Sequence, residues 1–229
     1  DTSGRWATFH FTSADNPYIS TEALDEISQD MTALAYRMEI LAEDVDEAPG
    51  ALWARATIEA ARVLQHPALE RVVVAVDPSA TSTGDEAGVV TAGSAGGHFY
   101  VLEDNSLQAS PIEWARAAVA AYHRHKAGRI VAESNNGGEM VAQTIRTVDP
   151  SVPVRLVHAS RGKQTRAEPV SAVYEGGRGH HVGAFPALED ELCLWIPGAA
   201  SPNRLDALVW AITELMQNGP RRQATTMQG

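Results

Sequence analysis

The stretch VVVAVDPSATSTGDEAGVV, residues 72–90, decides the fold. Its first part is a β-branched apolar run, typical of a strand buried on both faces, and the run ends at Asp77. A turn-rich loop follows, and AGVV begins a second strand. Because an ionised carboxylate beside a buried strand is costly without a partner, we expect Asp77 to have one of opposite charge.

Composition limits what that partner can be. The chain has 229 residues, 44% of them hydrophobic, which is enough for the core of one or two domains. It lacks an apolar run of about 18 residues, and its first residues, DTSGRWATFH, do not resemble a signal peptide, so we expect a soluble intracellular protein. A single cysteine, Cys193, excludes an intramolecular disulfide and a cysteine-based zinc site. Any metal site would therefore use oxygen ligands.

Charge is unevenly distributed along the chain. The net charge of −11 argues against simple nucleic-acid binding, but residues 1–70 alone hold 13 acids and 4 bases. Residues 155–178 are locally basic, and their basic side chains are Arg155, Arg161, Lys163, Arg166 and Arg178. A solvated face and a binding surface both explain this patch.

The pattern of elements predicts an α/β protein. Residues 1–66 are acidic and largely helical, with a break at Pro49, and we interpret them as an appendage or linker. Residues 67–217 form the main domain, and residues 218–229 are expected to be a flexible tail. The main domain is predicted to contain, in order, the strands RVVVAVD, AGVVTAG and HFYVLED, the helix PIEWARAAVAAYHRHKAG, the strand RIVAES, the helix EMVAQTIRTV, the strand VPVRLVHAS, the helix KQTRAEPVSAVYEGG interrupted at Pro169, a short strand or loop HHVGAF, and the helix SPNRLDALVWAITELMQ, with Ser201 as its N-cap.

Three acids occupy the ends of these elements. Asp77 ends the first strand, Glu133 ends the fourth, and Asp206 lies in the first turn of the last helix. If the first and fourth strands are parallel neighbours, their carboxyl ends lie side by side, and the last helix can add Asp206. Three carboxylates that share a site repel each other unless they are neutralised, and Mg²⁺ or Mn²⁺ suits oxygen ligands. Separately, each acid is also explained as a turn or helix-start residue.

The same segments carry a family resemblance. VVVAVDPSAT, RIVAESNNGG and SPNRLDALVWAITEL resemble the nuclease domain of the large terminase subunit of tailed bacteriophages, which belongs to the ribonuclease-H-like superfamily. The similarity covers roughly residues 68–216, and FTSADNPYIS with YRMEILAEDVDEAPGALW resembles the end of the terminase motor domain and its linker. This resemblance implies a ribonuclease-H-like mixed sheet of five or more strands flanked by helices, with an acidic helical N-terminal extension.

The resemblance also implies an activity. A metal-dependent DNA endonuclease with little sequence preference would cut concatemeric viral DNA during packaging, using two Mg²⁺ or Mn²⁺ ions. Asp77 would bridge the ions, while Glu133 and Asp206 would each complete one of them. Asp85 is a possible fourth acid or an exposed loop residue. Asn203 could orient a water molecule, or serve as an ordinary polar residue at a helix start.

The basic patch would then contact the DNA backbone. Lys163 and Arg166 would lie near the metals, and Arg161 and Arg178 would extend the track. His180 and His181 could reach the site or have a packing role. Trp114, Trp195 and Trp210 are expected in the core, so stacking on single-stranded bases is not favoured.

A phosphate-binding loop is not found in the sequence. The motif G-x-x-x-x-G-K-[ST] is missing, and the nearest string, RGKQT at 161–165, lacks its spacing. We therefore interpret the chain as a fragment without the motor and expect no ATPase activity from it. The implied partners are double-stranded DNA, the portal protein and the small terminase subunit, in the host cytoplasm, without membrane contact and outside the mature particle.

Two alternatives remain at this stage. The first keeps the fold and the metal site but changes the substrate, giving a Holliday-junction resolvase or another ribonuclease-H-like nuclease. The second is a non-catalytic nucleotide-binding or structural packaging module, because DPSAT resembles the phosphate loops of actin-like ATPases.

Overall fold

The structure is a computed structural model that describes residues 11–20, 22–24, 40–42, 47–78, 86–134, 138–159, 162–200 and 202–217. The chain divides into two compact units, Asp1–Ala48 and Pro49–Gly229. In the first unit a 3₁₀ turn spans Ser13–Asp15, and Asp15 accepts a hydrogen bond from the Thr12 amide at 2.7 Å. Most of the predicted N-terminal helix, the Ser201 cap and the predicted tail lie outside the described residues.

The second unit is built on a mixed seven-stranded sheet. Its strands are β1 Arg71–Asp77, β2 Glu86–Ala95, β3 His98–Asp104, β4 Leu107–Gln108, β5 Arg129–Glu133, β6 Val154–Val157 and β7 Gly179–His181. They lie in the order β6-β5-β1-β2-β3-β7, and β4 pairs with β2. The first three strands, which the sequence predicts in succession, pair antiparallel as a meander, and β5 lies parallel to β1 on its other side.

Helices cover both faces of the sheet. Alternation along β1 sends Val74 and Val76 into one core with Trp114, whereas Val73 and Ala75 enter a second core with Leu208. The helices are α1 Arg55–Ala60, α2 Pro111–Arg124, α3 Gly138–Val148, α4 Lys163–Glu175, α5 Pro186–Leu194 and α6 Asn203–Gln217. The first core is covered by α2 and α3, and the second by α1, α4, α5 and α6.

Two local predictions were wrong. α4 is not interrupted at Pro169 but continues through it to Glu175. Pro169 removes one backbone donor, but the buried residues on both sides of it, including Ala167 and Val170, pack on the sheet and hold the helix together. The helix α5 was not predicted, although Pro186 at its first position is a common start signal.

The compact unit begins earlier than residue 67. Trp53 and Ile58 are each only 2% exposed and belong to the same core as α6, and Val63 forms a parallel bridge with Val182. Residues 49–66 therefore fold with the sheet. The assignment of residues 1–66 to the end of a motor domain stays a prediction.

Within the part of the chain that the structure describes, no helix is long and apolar enough to span a membrane.

Candidate active site

Two acids lie side by side at the carboxyl ends of neighbouring strands. Val76 of β1 pairs with Ala132 of β5 in parallel register, so the next residues on the two strands are Asp77 and Glu133. Neighbouring strands are about 4.8 Å apart. Alternation along each strand directs both side chains to the face covered by α6, as it does for Ala75 and Val131.

The third acid arrives with the start of α6. Gly88 of β2 pairs with Asp77, and a Cβ atom at Gly88 would lie 2.0 Å from the carbonyl oxygen of Asn203. The missing side chain thus allows the first turn of α6 to rest directly on the sheet beside Asp77. Asp206 lies in that turn and is only 2% exposed. The fold therefore brings the three predicted acids to one place.

Two basic side chains from α4 enter the same place. Lys163 Nζ lies 2.8 Å from Asp206 Oδ2. Arg166 bridges two acids, with one terminal nitrogen 3.5 Å from Glu133 Oε2 and the other 4.0 Å from Asp206 Oδ1. The Arg166 side chain is only 10% exposed, so it offers little surface to a DNA backbone, whereas Lys163 is half-exposed.

Trp210 is a site residue that sequence reasoning placed only in the core. Its indole Nε1–H donates a hydrogen bond to Glu133 Oε2 at 2.7 Å, and its ring lies 4.5 Å below the guanidinium of Arg166. Trp210 follows Asp206 by four residues, so both lie on one side of α6. This four-residue spacing is the feature of the sequence from which Trp210 could have been predicted as a neighbour of the acids.

The Asp77 carboxylate is in an unfavourable environment for a charge. Burial first, and then the nearby charges of Asp206 and Glu133, raise its pKa from 3.8 to about 8, against the opposing effect of Lys163 and Arg166. Among the described residues, none donates a hydrogen bond to this carboxylate. A bound cation would stabilise its ionised form.

The chemistry of the donors fits a hard divalent ion. All three acids offer carboxylate oxygens, the ligand type that Mg²⁺ and Mn²⁺ prefer. Within the described residues, however, no three Asp, Glu, His or Cys side chains are yet arranged as a complete metal-binding group. Lys163 and Arg166 supply the positive charge at the acids in this arrangement.

Of the two residues predicted to assist the three acids, Asp85 and Asn203, the structure describes only Asn203. The side-chain amide of Asn203 donates to the backbone carbonyl of Glu86, which fixes the start of α6 on β2 and favours the structural alternative for this residue. Asp85 and Arg161 lie outside the described residues, and their predicted roles stay predictions.

The remaining predicted residues are distant from the acids. Arg178 follows the far end of α4, roughly 18 Å along the helix from Lys163. His180 stacks against Tyr100 with ring centroids 5.0 Å apart. His181 is fully buried and contacts the Glu189 carboxylate at 2.8 Å. Both histidines therefore have packing roles, and Arg178 is not beside the acids.

Comparisons with known proteins identify related chains. The family model described as Terminase RNaseH-like domain matches residues 74–215. A large terminase from a thermophilic bacteriophage aligns with a TM-score of 0.58 and 14% identity, over 91% of this chain and 55% of that one. The large terminase nuclease of the thermophilic phage G20c aligns with a TM-score of 0.55 and 10% identity, over 72% of this chain and 99% of that one. The human cytomegalovirus terminase nuclease domain, Mn soaked and inhibitor bound, aligns with a TM-score of 0.51 and 18% identity, over 72% of this chain and 93% of that one.

No curated protein matches the sequence. At these identities the structural likeness establishes the fold, and the predicted ribonuclease-H-like mixed sheet is confirmed. The chain spans 55% of the length of the first of these large terminases.

Proposed function

The chain belongs to the family of terminase ribonuclease-H-like domains, and from that premise we propose that it is a metal-dependent DNA endonuclease of viral genome packaging. One observation carries the proposal: the half-buried Asp77 carboxylate at the end of β1 is flanked by Glu133 from β5 and Asp206 from α6. Acids grouped on a sheet edge suit metal-assisted phosphodiester hydrolysis.

The three acids would hold two Mg²⁺ or Mn²⁺ ions, with Asp77 shared between them. When bound, two such ions lower the pKa of an attacking water and stabilise the leaving 3′-oxygen of the scissile phosphate. Support comes from the oxygen-only donor set and from the related cytomegalovirus nuclease domain, which was soaked with Mn.

The protein's own side chains prepare the acids for this role. Trp210 holds Glu133 in one orientation through its indole N–H, and Arg166 is held against both the indole ring and the acid pair. Lys163 is half-exposed, so its ammonium can turn from Asp206 toward a DNA phosphate while remaining at the site. These groups position ligands and substrate without reading base sequence, which agrees with a nuclease of little sequence preference.

The proposed substrate is double-stranded DNA in the form of concatemeric genome. Lys163 is the described basic residue best placed to contact a phosphate near the cut, and Arg161 is proposed to act beside it. The portal protein and the small terminase subunit are proposed partners of the whole packaging protein in the host cytoplasm. We expect no ATP hydrolysis from this chain.

A plasmid assay tests the proposal. Supercoiled plasmid is incubated with wild type, Asp77→Asn or the surface control Asp190→Asn in Mn²⁺, in Mg²⁺ and in EDTA. We expect wild type and Asp190→Asn to nick and linearise the plasmid only with metal, and Asp77→Asn to be at least about 100-fold slower. Binding without cutting by wild type would overturn the nuclease assignment, and equal cutting by Asp77→Asn would overturn the site. A four-way junction should be cut no faster than linear duplex.

A further inference from the structure

A groove leaves the acidic site along one side of α6. Asp206, Trp210, Glu214 and Gln217 recur at helical spacing, and the first three contact Lys163, Glu133 and Arg155 on neighbouring elements. This side of α6 therefore begins at the acids and continues toward the helix end.

Two cavities follow this side of the helix. One, of about 370 Å³, reaches the acidic site through Arg166, and the other, of about 230 Å³, reaches Arg155. Because the cavities share lining residues, they form one continuous groove between α4, α6 and the end of β6. The shared residues are His158, Trp210, Thr213 and Gln217.

The far end of the groove is strongly basic. Glu214 is only 2% exposed and receives three guanidinium groups: Arg155 at 2.7 Å, Arg129 at 3.5 Å and Arg71 at 3.6 Å. One carboxylate cannot balance three such charges, so a surplus of positive charge remains. The side chains of Arg129 and Arg155 are 44% and 39% exposed and can donate further hydrogen bonds outward.

We propose that this groove carries the backbone of one DNA strand away from the cut, with Arg155 and Arg129 contacting its phosphates. The inference rests on the proposed function, because the groove begins at the acidic site. Asp206 and Glu214 are eight residues apart, or about 12 Å along α6. Three to four base-pair steps span this length along the axis of a DNA duplex. Thr213, Gln217 and His158 supply polar groups along the path. A polyanion fits the surplus positive charge and the mainly polar lining at the Arg155 end of the groove.

Binding of a fluorescent DNA duplex in EDTA, where no cutting is expected, tests the groove. The groove variants are Arg155→Gln and Gln217→Glu. Their matched controls are Arg146→Gln and Gln143→Glu on α3, which packs on the opposite face of the sheet. We expect Arg155→Gln to reduce the slope of log affinity against log salt by about one, which equals roughly a fourfold change in relative affinity between 50 and 200 mM salt. Gln217→Glu should weaken binding by repulsion, and the controls should match wild type.

The outcomes separate the groove from the function. Wild-type affinity and salt slope in both groove variants would overturn the groove proposal, and would leave the nuclease assignment intact if wild type still cuts plasmid with metal. Weakened binding in the groove variants beside a wild type that never cuts would support the groove and overturn the nuclease. Gln217 is exposed, so Gln217→Glu decides the matter even if Arg155→Gln loses stability.

Discussion

The carboxylate of Asp77 is half-buried beside two other acids, and this setting raises its pKa to about 8. Near pH 7 most of the metal-free protein therefore has a protonated Asp77, whereas a metal ligand must be ionised. Mn²⁺ binding at pH 7 should release about one proton from this group, and metal affinity should weaken as the pH falls below 8.

Calorimetry in buffers of different ionisation enthalpy measures that release. Asp190→Asn, a surface substitution of the same kind, should retain it, and Asp77→Asn should lose it. Metal binding with no proton release at pH 7, and with an affinity that does not change between pH 7 and pH 9, would contradict the raised pKa.

Trp210→Phe removes one donor and keeps an aromatic ring below Arg166. Glu133 loses the 2.7 Å hydrogen bond that orients it, so we expect a loss of about 10- to 100-fold in Mn²⁺ affinity or cutting rate with the fold retained. Trp195→Phe is the matched control, because Trp195 is also buried but donates to a backbone carbonyl, that of Ala199. Equal effects of the two substitutions would mean that Trp210 acts through packing alone.

At the residue scale, the acids were predictable and their surroundings were not. Strand alternation and the helix start are local patterns, and they were sufficient to select Asp77, Glu133 and Asp206. The contacts of Arg166 with Trp210 and with two acids depend on how α4 and α6 pack together. Local sequence does not contain that packing, so Arg166 was predicted as a DNA contact and Trp210 only as a core residue.

The position of α6 depends on the small residue below it. Gly88→Ala would place Cβ against the backbone of Asn203, which cannot rotate away as a side chain can. We expect the start of α6 to shift, with a loss of about 1–3 kcal/mol in unfolding free energy and a larger loss of cutting. Gly93→Ala is the control on the same strand, because its Cβ would lie 2.6 Å from the end of the Leu69 side chain, which can rotate, and 3.2 Å from the nearest backbone atom, the Arg71 carbonyl oxygen. Denaturant melts and the plasmid assay measure both effects, and full activity in Gly88→Ala would contradict this positioning role.

A buried polar network joins β7 to α5 and to the segment after α1. His181 contacts Glu189, and Glu189 also pairs with Arg62 at 2.7 Å. Burial alone would raise the pKa of Glu189, but the hydrogen bonds from His181 and Arg62 lower it below its usual range. Burial also lowers the pKa of His181, against the opposing effect of Glu189.

Both shifts predict loss of stability in acid. The carboxyl pKa of Glu189 is 4.5 in the unfolded chain and lower in the folded protein. The ionised carboxylate therefore stabilises the fold at pH values above 4.5, and this contribution is lost as the pH falls. The lowered pKa of His181 also makes the fold less stable in acid. Below pH 6.5 the imidazole takes up a proton more readily in the unfolded chain than in the folded protein. Thermal melts should show stability falling from pH 7 to pH 4, with a smaller fall in His181→Gln, because this substitution removes the histidine and with it the charge that lowers the pKa of Glu189. A steeper fall in His181→Gln would contradict the network.

At the element scale, periodicity predicted most strands and helices within a few residues. It failed where tertiary packing outweighs a local signal. Packing on the sheet carries α4 through Pro169, and α5 holds Glu189 in a buried network that an apolar pattern cannot reveal. The short strand β4 has only two residues and is defined by its pairing with β2.

At the scale of the molecule, the compact unit that begins at Pro49 should fold independently of the residues before it. A fragment of residues 49–217 should unfold cooperatively and keep metal-dependent cutting. A fragment of residues 67–217 should be less stable, because it loses the buried Trp53 and Ile58 and the partner of Glu189. Denaturant melts compare the two fragments, and equal stability would show that residues 49–66 are only a linker, as the sequence predicted.

Acidic and basic side chains are concentrated in different parts of the chain. Acids dominate the first 70 residues, whereas arginines gather at the end of the groove opposite the acidic site. The net charge of −11 therefore conceals a local concentration of positive charge.

The most direct measurement is anomalous diffraction from crystals soaked in Mn²⁺. We expect manganese density enclosed by the carboxylates of Asp77, Glu133 and Asp206, with the Lys163 ammonium withdrawn from Asp206. Crystals that take up Mn²⁺ elsewhere, or that keep the 2.8 Å contact between Lys163 and Asp206 at saturating metal, would contradict this expectation.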